Sequence, residues 1–214
     1  RGDYERAISR LTPEQHRVVS HLRDRDVVYV KGGAGTGKSL VLVEMIRRVA
    51  QENLGSALLL TFNGSLSKFH SYVSDIKGIE DARWYVRTWD WYVGRLLDAL
   101  DIADEAEIDE TVLRQVCAQH AATVEMPMRN LYEEIEETIF GNNLDADTYR
   151  HSKLSAIPVE NRDGVLRIAN AAVLEMKRGG QFSRNFARVL AAQTLRESGF
   201  PVEMPEIDFI LLDE

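Results

Sequence analysis

The sequence of 214 residues predicts an α/β fold in which a parallel sheet is interrupted by an inserted helical block. Apolar runs alternate with amphipathic helical stretches over residues 1–100, the pattern of successive β-α-β units. Residues 101–200 carry apolar side chains at helical spacing and no convincing strand. The apolar run at residues 207–212 returns to strand character, so we assign residues 201–214 to the same sheet as residues 1–100.

Short-range signals account for each element in turn. A capping-box pattern at Thr12 and Gln15, with Pro13 at the first helical position, predicts a helix over residues 13–23. The continuous β-branched run at residues 27–30 predicts a strand buried on both faces. The remaining elements of the first segment are predicted as a helix over 38–51, a strand over 57–62, a helix over 66–73, a strand over 84–86 and a helix over 89–100. Helices of the inserted block are predicted around residues 128–139, 165–176 and 182–190.

Composition excludes several classes of protein. The net charge of −8 argues against a general binder of polyanions, although basic residues dominate the stretch 148–200 and could form a local basic face. The single cysteine, Cys117, excludes a disulfide framework and a metal site built from cysteines, and it favours a reducing, cytoplasmic location. No apolar run is long enough to span a bilayer, so we expect no membrane partner.

The strongest motif is the stretch Gly-Gly-Ala-Gly-Thr-Gly-Lys-Ser at residues 32–39, which matches G-x-x-x-x-G-K-[ST] between a predicted strand and a predicted helix. The glycines let backbone N–H groups surround a phosphate, and the helix adds its positive N-terminal end. Lys38 would neutralise the β- and γ-phosphates, and the Ser39 hydroxyl would ligate Mg²⁺. The predicted nucleotide-binding residues are Gly33, Ala34, Gly35, Thr36, Gly37, Lys38 and Ser39.

A second motif ends the sequence, where the apolar run at residues 207–212 is followed by two carboxylates. The carboxyl end of a parallel strand lies beside the phosphate loop in such sheets. We therefore expect Asp213 to hold Mg²⁺, directly or through water, and Glu214 to orient and deprotonate the attacking water. The predicted catalytic residues are thus Lys38, Asp213 and Glu214; the alternative for the acidic pair is a solvated strand end.

Taken in order, these motifs resemble the first motor domain of a UvrD/Rep-like superfamily I helicase. The resemblance is carried by Gln15, by residues 33–39, by residues 58–62, by Thr88-Trp89 and by Asp213-Glu214. It implies a RecA-like P-loop core with a helical insertion similar to domain 1B of that family. It also implies an ATP-dependent helicase or ATP hydrolase that uses ATP and Mg²⁺ on single-stranded nucleic acid, with DNA preferred and RNA as the alternative.

The resemblance further implies a second motor domain in the same polypeptide, which would supply an arginine finger. Residues 1–214 by themselves are therefore expected to bind ATP weakly and to hydrolyse it poorly. Two other functions stay open. The chain could be a P-loop ATPase that acts as a regulatory or defence switch without unwinding, or a degenerate motor that only clamps nucleic acid. The intact Lys38, Ser39, Asp213 and Glu214 argue against the second of these.

The resemblance assigns further residues. Gln15 is similar to an adenine-reading glutamine, with an ordinary capping-box residue as the alternative. The usual Thr-Asn-Lys-Ala-Ala is absent after residue 62, and Asp90 stands where the family has a histidine. For Trp89 the alternative to stacking on a base is packing in the core, and for Trp91 core packing is the favoured interpretation. The predicted nucleic-acid contacts are Thr61, Phe62, Asn63, Thr88, Trp89, Arg178, Arg184 and Arg188.

The inserted block offers weaker signals. Arg178, Arg184 and Arg188 would form a basic edge that contacts phosphates, or else they lie at solvated helix ends. The glutamate run at residues 133–137 is expected to be a solvated face. Cys117 shares an apolar helical face and is expected in the core. The five histidines have no metal-ligand spacing, and we interpret all of them as structural or surface residues.

Overall fold

The computed structural model describes residues 11–20, 30–31, 33, 35–62, 64–76 and 84–213. The chain divides into two compact units, one of residues 1–89 with 205–214 and the other of residues 90–204. The helices are α1 (Pro13–Ser20), α2 (Lys38–Gln51), α3 (Gly64–Ile76), α4 (Trp89–Ala99), α5 (Thr111–His120), α6 (Met128–Glu133), α7 (Ala146–His151), α8 (Val159–Gly179) and α9 (Arg184–Ser198), with a 3₁₀ turn at Ala121–Val124 and a π-helix at Glu134–Phe140. The strands are β1 (Ala57–Thr61), β2 (Trp84–Thr88), β3 (Glu107–Ile108), β4 (Gln181–Phe182) and β5 (Phe209–Asp213).

The first unit contains a parallel sheet of three described strands in the order β2-β1-β5. Leu59 of the central strand pairs with Val86 on one side and with Leu211 on the other. All five residues of β1 are buried, as the continuous apolar run predicted. The mixed α/β class and the parallel sheet are therefore confirmed. Of the strand predicted over 27–30, residues 27–29 lie outside the described residues.

Helix α2 packs against β1 and β5 and forms the core of this unit. Its predicted apolar face is confirmed, because Leu42, Met45, Ile46 and Val49 are all buried. Burying an aliphatic side chain of this size stabilises the fold by about 1.5–3 kcal/mol. Only residues 52–56 connect α2 to β1, so the helix runs back along the strand and its first turn lies at the carboxyl edge of the sheet.

The second unit is mostly helical but not entirely so. Strands β3 and β4 pair in parallel, Glu107 with Gln181 and Ile108 with Phe182. The prediction of no strand between residues 101 and 199 is therefore wrong, because two-residue strands leave no periodic pattern to detect. The helical spacing predicted over residues 165–176 is confirmed in the long helix α8, which buries Val165, Ile168, Ala169, Ala172 and Met176 and leaves the sixth position, Val173, half-buried.

The glutamate run at residues 133–137 is only partly a solvated face. Glu134 and Glu136 are 7% and 2% exposed within the π-helix, so the prediction is wrong for these two residues. The Tyr149 hydroxyl donates to Glu134 Oε1 at 2.8 Å, and the backbone N–H of Asn185 donates to Glu136 Oε1 at 2.8 Å. These hydrogen bonds offset part of the cost of burying a carboxyl group. Burial raises the pKa of Glu136.

Cys117 is fully buried, which confirms its assignment to the core. None of the helices that the structure describes has both the length and the apolar character needed to cross a membrane.

Candidate nucleotide-binding site

The stretch predicted to bind phosphate forms a loop that is closed on itself. The Thr36 hydroxyl donates to the Gly33 carbonyl at 2.9 Å, and the Lys38 ammonium donates to the same oxygen at 3.0 Å. Gly35 and Gly37 have φ angles of +75° and +81°, in the left-handed region that favours glycine. The loop therefore needs glycine at these two positions. Ala34 lies outside the described residues.

Helix α2 begins directly after this loop, so Lys38 and Ser39 occupy its first turn. The first N–H groups of a helix have no partner within the helix, and they carry the positive end of its dipole. Both side chains are half-buried at this end. The arrangement offers backbone N–H groups, one ammonium group and one hydroxyl group to an anion.

Gln15 connects α1 to the loop. The capping box is confirmed, because the Thr12 N–H donates to Gln15 Oε1 at 2.8 Å and the Gln15 N–H donates to Thr12 Oγ1 at 3.3 Å. The Gln15 amide nitrogen also donates to the Thr36 carbonyl at 2.9 Å. A Cβ atom at Gly37 would lie 2.6 Å from this nitrogen, so a side chain there would displace the Gln15 amide. Recognition of adenine by Gln15 stays a prediction.

Asp213 ends the described part of β5 and aligns with Thr61 of β1, which pairs in turn with Thr88 of β2. The three residues therefore form one row at the carboxyl edge of the sheet. Asp213 is 6% exposed. Because the first turn of α2 lies at the same edge, the topology brings the phosphate loop and the Asp213 carboxylate to one side of the sheet. Glu214 lies outside the described residues.

His70 of α3 contacts Asp213 and was missed by the sequence reasoning. Its Nε2 lies 2.7 Å from Asp213 Oδ2, and its side chain is fully buried. Burial lowers the pKa of His70, although the hydrogen bond to Asp213 opposes this effect. An ionised carboxylate only accepts hydrogen bonds, so Nε2–H is the donor in this contact. The sequence signal that could have identified His70 is its position on the side of the predicted helix that faces the sheet.

The donor atoms at this edge fit a magnesium-bound nucleotide. Mg²⁺ prefers oxygen ligands and is usually held by one or two protein side chains together with phosphate oxygens and water. The Asp213 carboxylate and the Ser39 hydroxyl are such ligands, and a Cβ added at Gly35 of the loop would meet nothing within 4 Å. Across the described ranges, no three His, Cys, Asp or Glu side chains are grouped so that they could hold a metal by themselves.

The predicted nucleic-acid contacts in the first unit differ in exposure. Phe62 is 58% exposed, whereas Thr61, directly before it, is 1% exposed. Thr88 and Trp89 are half-buried at the end of β2, and Asn63 lies outside the described residues. In the second unit, the expected core packing of Trp91 is wrong, because this side chain is 47% exposed.

The arginines of the predicted basic edge contact protein groups. The Arg184 guanidinium bonds the Asp90 carboxylate through Nε at 3.1 Å and Nη2 at 2.9 Å. Arg178 forms an exposed ion pair with Glu175 at 2.9 Å. Burial lowers the pKa of Arg188, which is half-buried. Any phosphate contact by Arg184 would therefore compete with Asp90.

No protein-family model matches this chain, and no curated protein matches it either.

Proposed function

We propose that this chain is the ATP-binding part of a UvrD/Rep-like superfamily I helicase or translocase. The observation that carries the proposal is the pairing of two features in one unit, a closed phosphate loop at the start of α2 and a buried carboxylate, Asp213, at the same edge of the parallel sheet. The ordered sequence motifs support the proposal. On this proposal the sheet is part of a RecA-like core.

The residues of the site have separate roles in this proposal. The N–H groups of the loop bind phosphate oxygens, and Lys38 moves from the Gly33 carbonyl to the β- and γ-phosphates. Ser39 and Asp213 hold Mg²⁺, which when bound neutralises charge on the phosphates. Glu214 orients the attacking water and takes its proton. The 3.0 Å hydrogen bond from Lys38 to the Gly33 carbonyl supports this role, because it holds the ammonium charge against the loop.

Single-stranded nucleic acid is the proposed partner, in the cytoplasm, with DNA preferred and RNA as the alternative. Phe62 supports this part of the proposal, since its ring is exposed at the carboxyl edge of the central strand. Bases stack on exposed aromatic rings with little dependence on sequence, at about 1–3 kcal/mol per base.

A second candidate is an ATPase switch that does not unwind nucleic acid. The ion pair between Arg184 and Asp90 favours it, because this pair occupies one of the predicted basic contacts with a protein carboxylate. Both candidates use the same ATP site. They differ in whether single-stranded nucleic acid changes the rate of hydrolysis.

Nucleotide binding by the full chain tests the shared part of the proposal. A fluorescent ATP analogue with Mg²⁺ should bind, and Lys38→Ala should weaken that binding at least tenfold, because the β- and γ-phosphates lose their ammonium partner. Lys31→Ala is the matched control, since it removes an exposed lysine outside the phosphate loop. Equal affinities of the wild type, Lys38→Ala and Lys31→Ala would refute the proposed site.

A further inference from the structure

The sheet-facing side of α3 carries two buried polar side chains. His70 and Ser74 are each 0% exposed, and they lie one turn apart on the same side of the helix. Helix α3 packs against β1, β2 and α2, all within the first unit. Polar groups in such positions are unfavourable unless they form hydrogen bonds. Retaining a histidine there therefore calls for a physical reason.

The reason lies in one hydrogen bond. His70 Nε2 is 2.7 Å from Asp213 Oδ2, and the two residues are 143 positions apart in the sequence. The other ring nitrogen, Nδ1, is buried and has no hydrogen-bond partner among the described residues. Within the described part of the chain the ring thus makes a single polar contact, and that contact is with the carboxylate proposed to hold Mg²⁺. A residue needed only to fill the core could be apolar.

We propose that His70 is a positioning residue for the metal-binding carboxylate of the nucleotide site. Nε2–H holds Asp213 Oδ2 and fixes the rotation of the carboxylate, so that Oδ1 is the oxygen presented to the metal. This inference rests on the proposed function, because it assumes that Asp213 takes part in binding Mg²⁺ and nucleotide. His70 itself contacts neither. Residues that orient a metal ligand in this way typically change metal affinity by about 10–100-fold when they are replaced.

The test compares substitutions whose donor atom can or cannot reach Asp213, and this separates a hydrogen-bonding role of His70 from a role in filling the core. In His70→Gln the amide nitrogen takes the place of Nε2, whereas in His70→Asn it takes the place of Nδ1 and falls short of Asp213. His70→Leu fills the space without a donor. Ser74→Ala is the matched control, because Ser74 is equally buried on the same helix and its hydroxyl has no hydrogen-bond partner among the described residues.

The experiment measures binding of a fluorescent ATP analogue to the full chain as a function of Mg²⁺ concentration. His70→Leu and His70→Asn should raise the half-saturating Mg²⁺ concentration by about 10–100-fold. His70→Gln should restore most of the wild-type value, and Ser74→Ala should leave it unchanged. Thermal unfolding without nucleotide is recorded for each variant, so that loss of stability is measured separately.

The outcomes distinguish the two proposals. If wild-type protein shows no Mg²⁺-dependent binding, the proposed function fails. If it binds and His70→Leu or His70→Asn has the wild-type Mg²⁺ dependence, the positioning role is refuted. Equal increases in the half-saturating Mg²⁺ concentration for His70→Gln and His70→Asn would also refute the positioning role. A role in filling the core would not depend on where the donor atom lies. If His70→Leu does not fold, the comparison of Gln with Asn decides the question.

Discussion

Replacing Gly37 by alanine should damage the phosphate loop in a way that can be separated into two parts. The first part is backbone strain, because Gly37 has a φ of +81°. A left-handed conformation costs about 1–2 kcal/mol for a residue with a side chain. Gly35 has a φ of +75° and nothing within 4 Å of an added Cβ, so Gly35→Ala contains this first part alone.

The second part is a collision with Gln15. An added Cβ at Gly37 would lie 2.6 Å from Gln15 Nε2, which is too close for any stable contact. The Gln15 side chain is flexible, so it moves and loses its hydrogen bond to the Thr36 carbonyl. A hydrogen bond of this kind contributes about 0.5–1.5 kcal/mol net. Gly37→Ala should therefore destabilise the full chain by about 0.5–1.5 kcal/mol more than Gly35→Ala does.

Urea denaturation of the single and double variants measures both parts. The excess cost of Gly37→Ala over Gly35→Ala should vanish when Gln15 is also replaced by alanine, because the collision and the hydrogen bond are then both removed. A double-mutant cycle isolates this coupling. An excess that persists unchanged without the Gln15 side chain would refute the argument, and so would equal costs of the two glycine variants in the wild-type background.

Three further predictions follow from the described contacts. Burial raises the pKa of Glu136 above its usual 4.5, so the contribution of Glu136 to stability is fully present below pH 4.5 and is lost as pH rises through the folded-state pKa. Glu136→Gln should lack this loss, so its stability relative to wild type should increase with pH by about 1.4 kcal/mol for each unit of pKa shift. A difference that stays constant between pH 4 and 8 would contradict this. Burial raises the pKa of Cys117 to about 11, so a thiol reagent at pH 8 should label the native chain slowly and the urea-unfolded chain rapidly, with equal rates as the contrary result. Phe62→Ala should weaken binding of single-stranded DNA by about 1–3 kcal/mol at every salt concentration without a matching loss of stability. Tyr72→Ala, which removes another exposed aromatic ring of the same unit, should leave DNA binding unchanged. Equal affinities of the two variants would count against stacking by Phe62.

The sheet and its flanking helices could be predicted because their signals are local. The run at residues 57–61 is continuously apolar, and the helix after the phosphate loop repeats its apolar residues at helical spacing. The phosphate loop was predictable for the same reason, since its glycines, Lys38 and Ser39 are contiguous. The helix predicted over residues 66–73 extends further, over Gly64–Ile76, because the ends of helices have weaker signals than their centres.

Long-range and irregular features could not be predicted. The hydrogen bond from His70 to Asp213 joins residues 143 positions apart, and a single histidine in a helix has no spacing that indicates its partner. The burial of Glu136 depends on the π-helix and on the backbone of Asn185, neither of which is visible in a run of glutamates. The ion pair of Arg184 with Asp90 likewise depends on the tertiary fold, so the basic edge could not be weighed from charge alone.

Steady-state ATP hydrolysis by the full chain, with and without single-stranded DNA, tests the central claim most directly. We expect slow Mg²⁺-dependent hydrolysis that Lys38→Ala abolishes and Lys31→Ala retains, because a two-domain motor completes its site with an arginine finger from the second domain. Rapid hydrolysis by residues 1–214 that DNA stimulates would contradict the two-domain motor and favour a self-contained ATPase switch. Hydrolysis that Lys38→Ala leaves within twofold of wild type would contradict the nucleotide site itself.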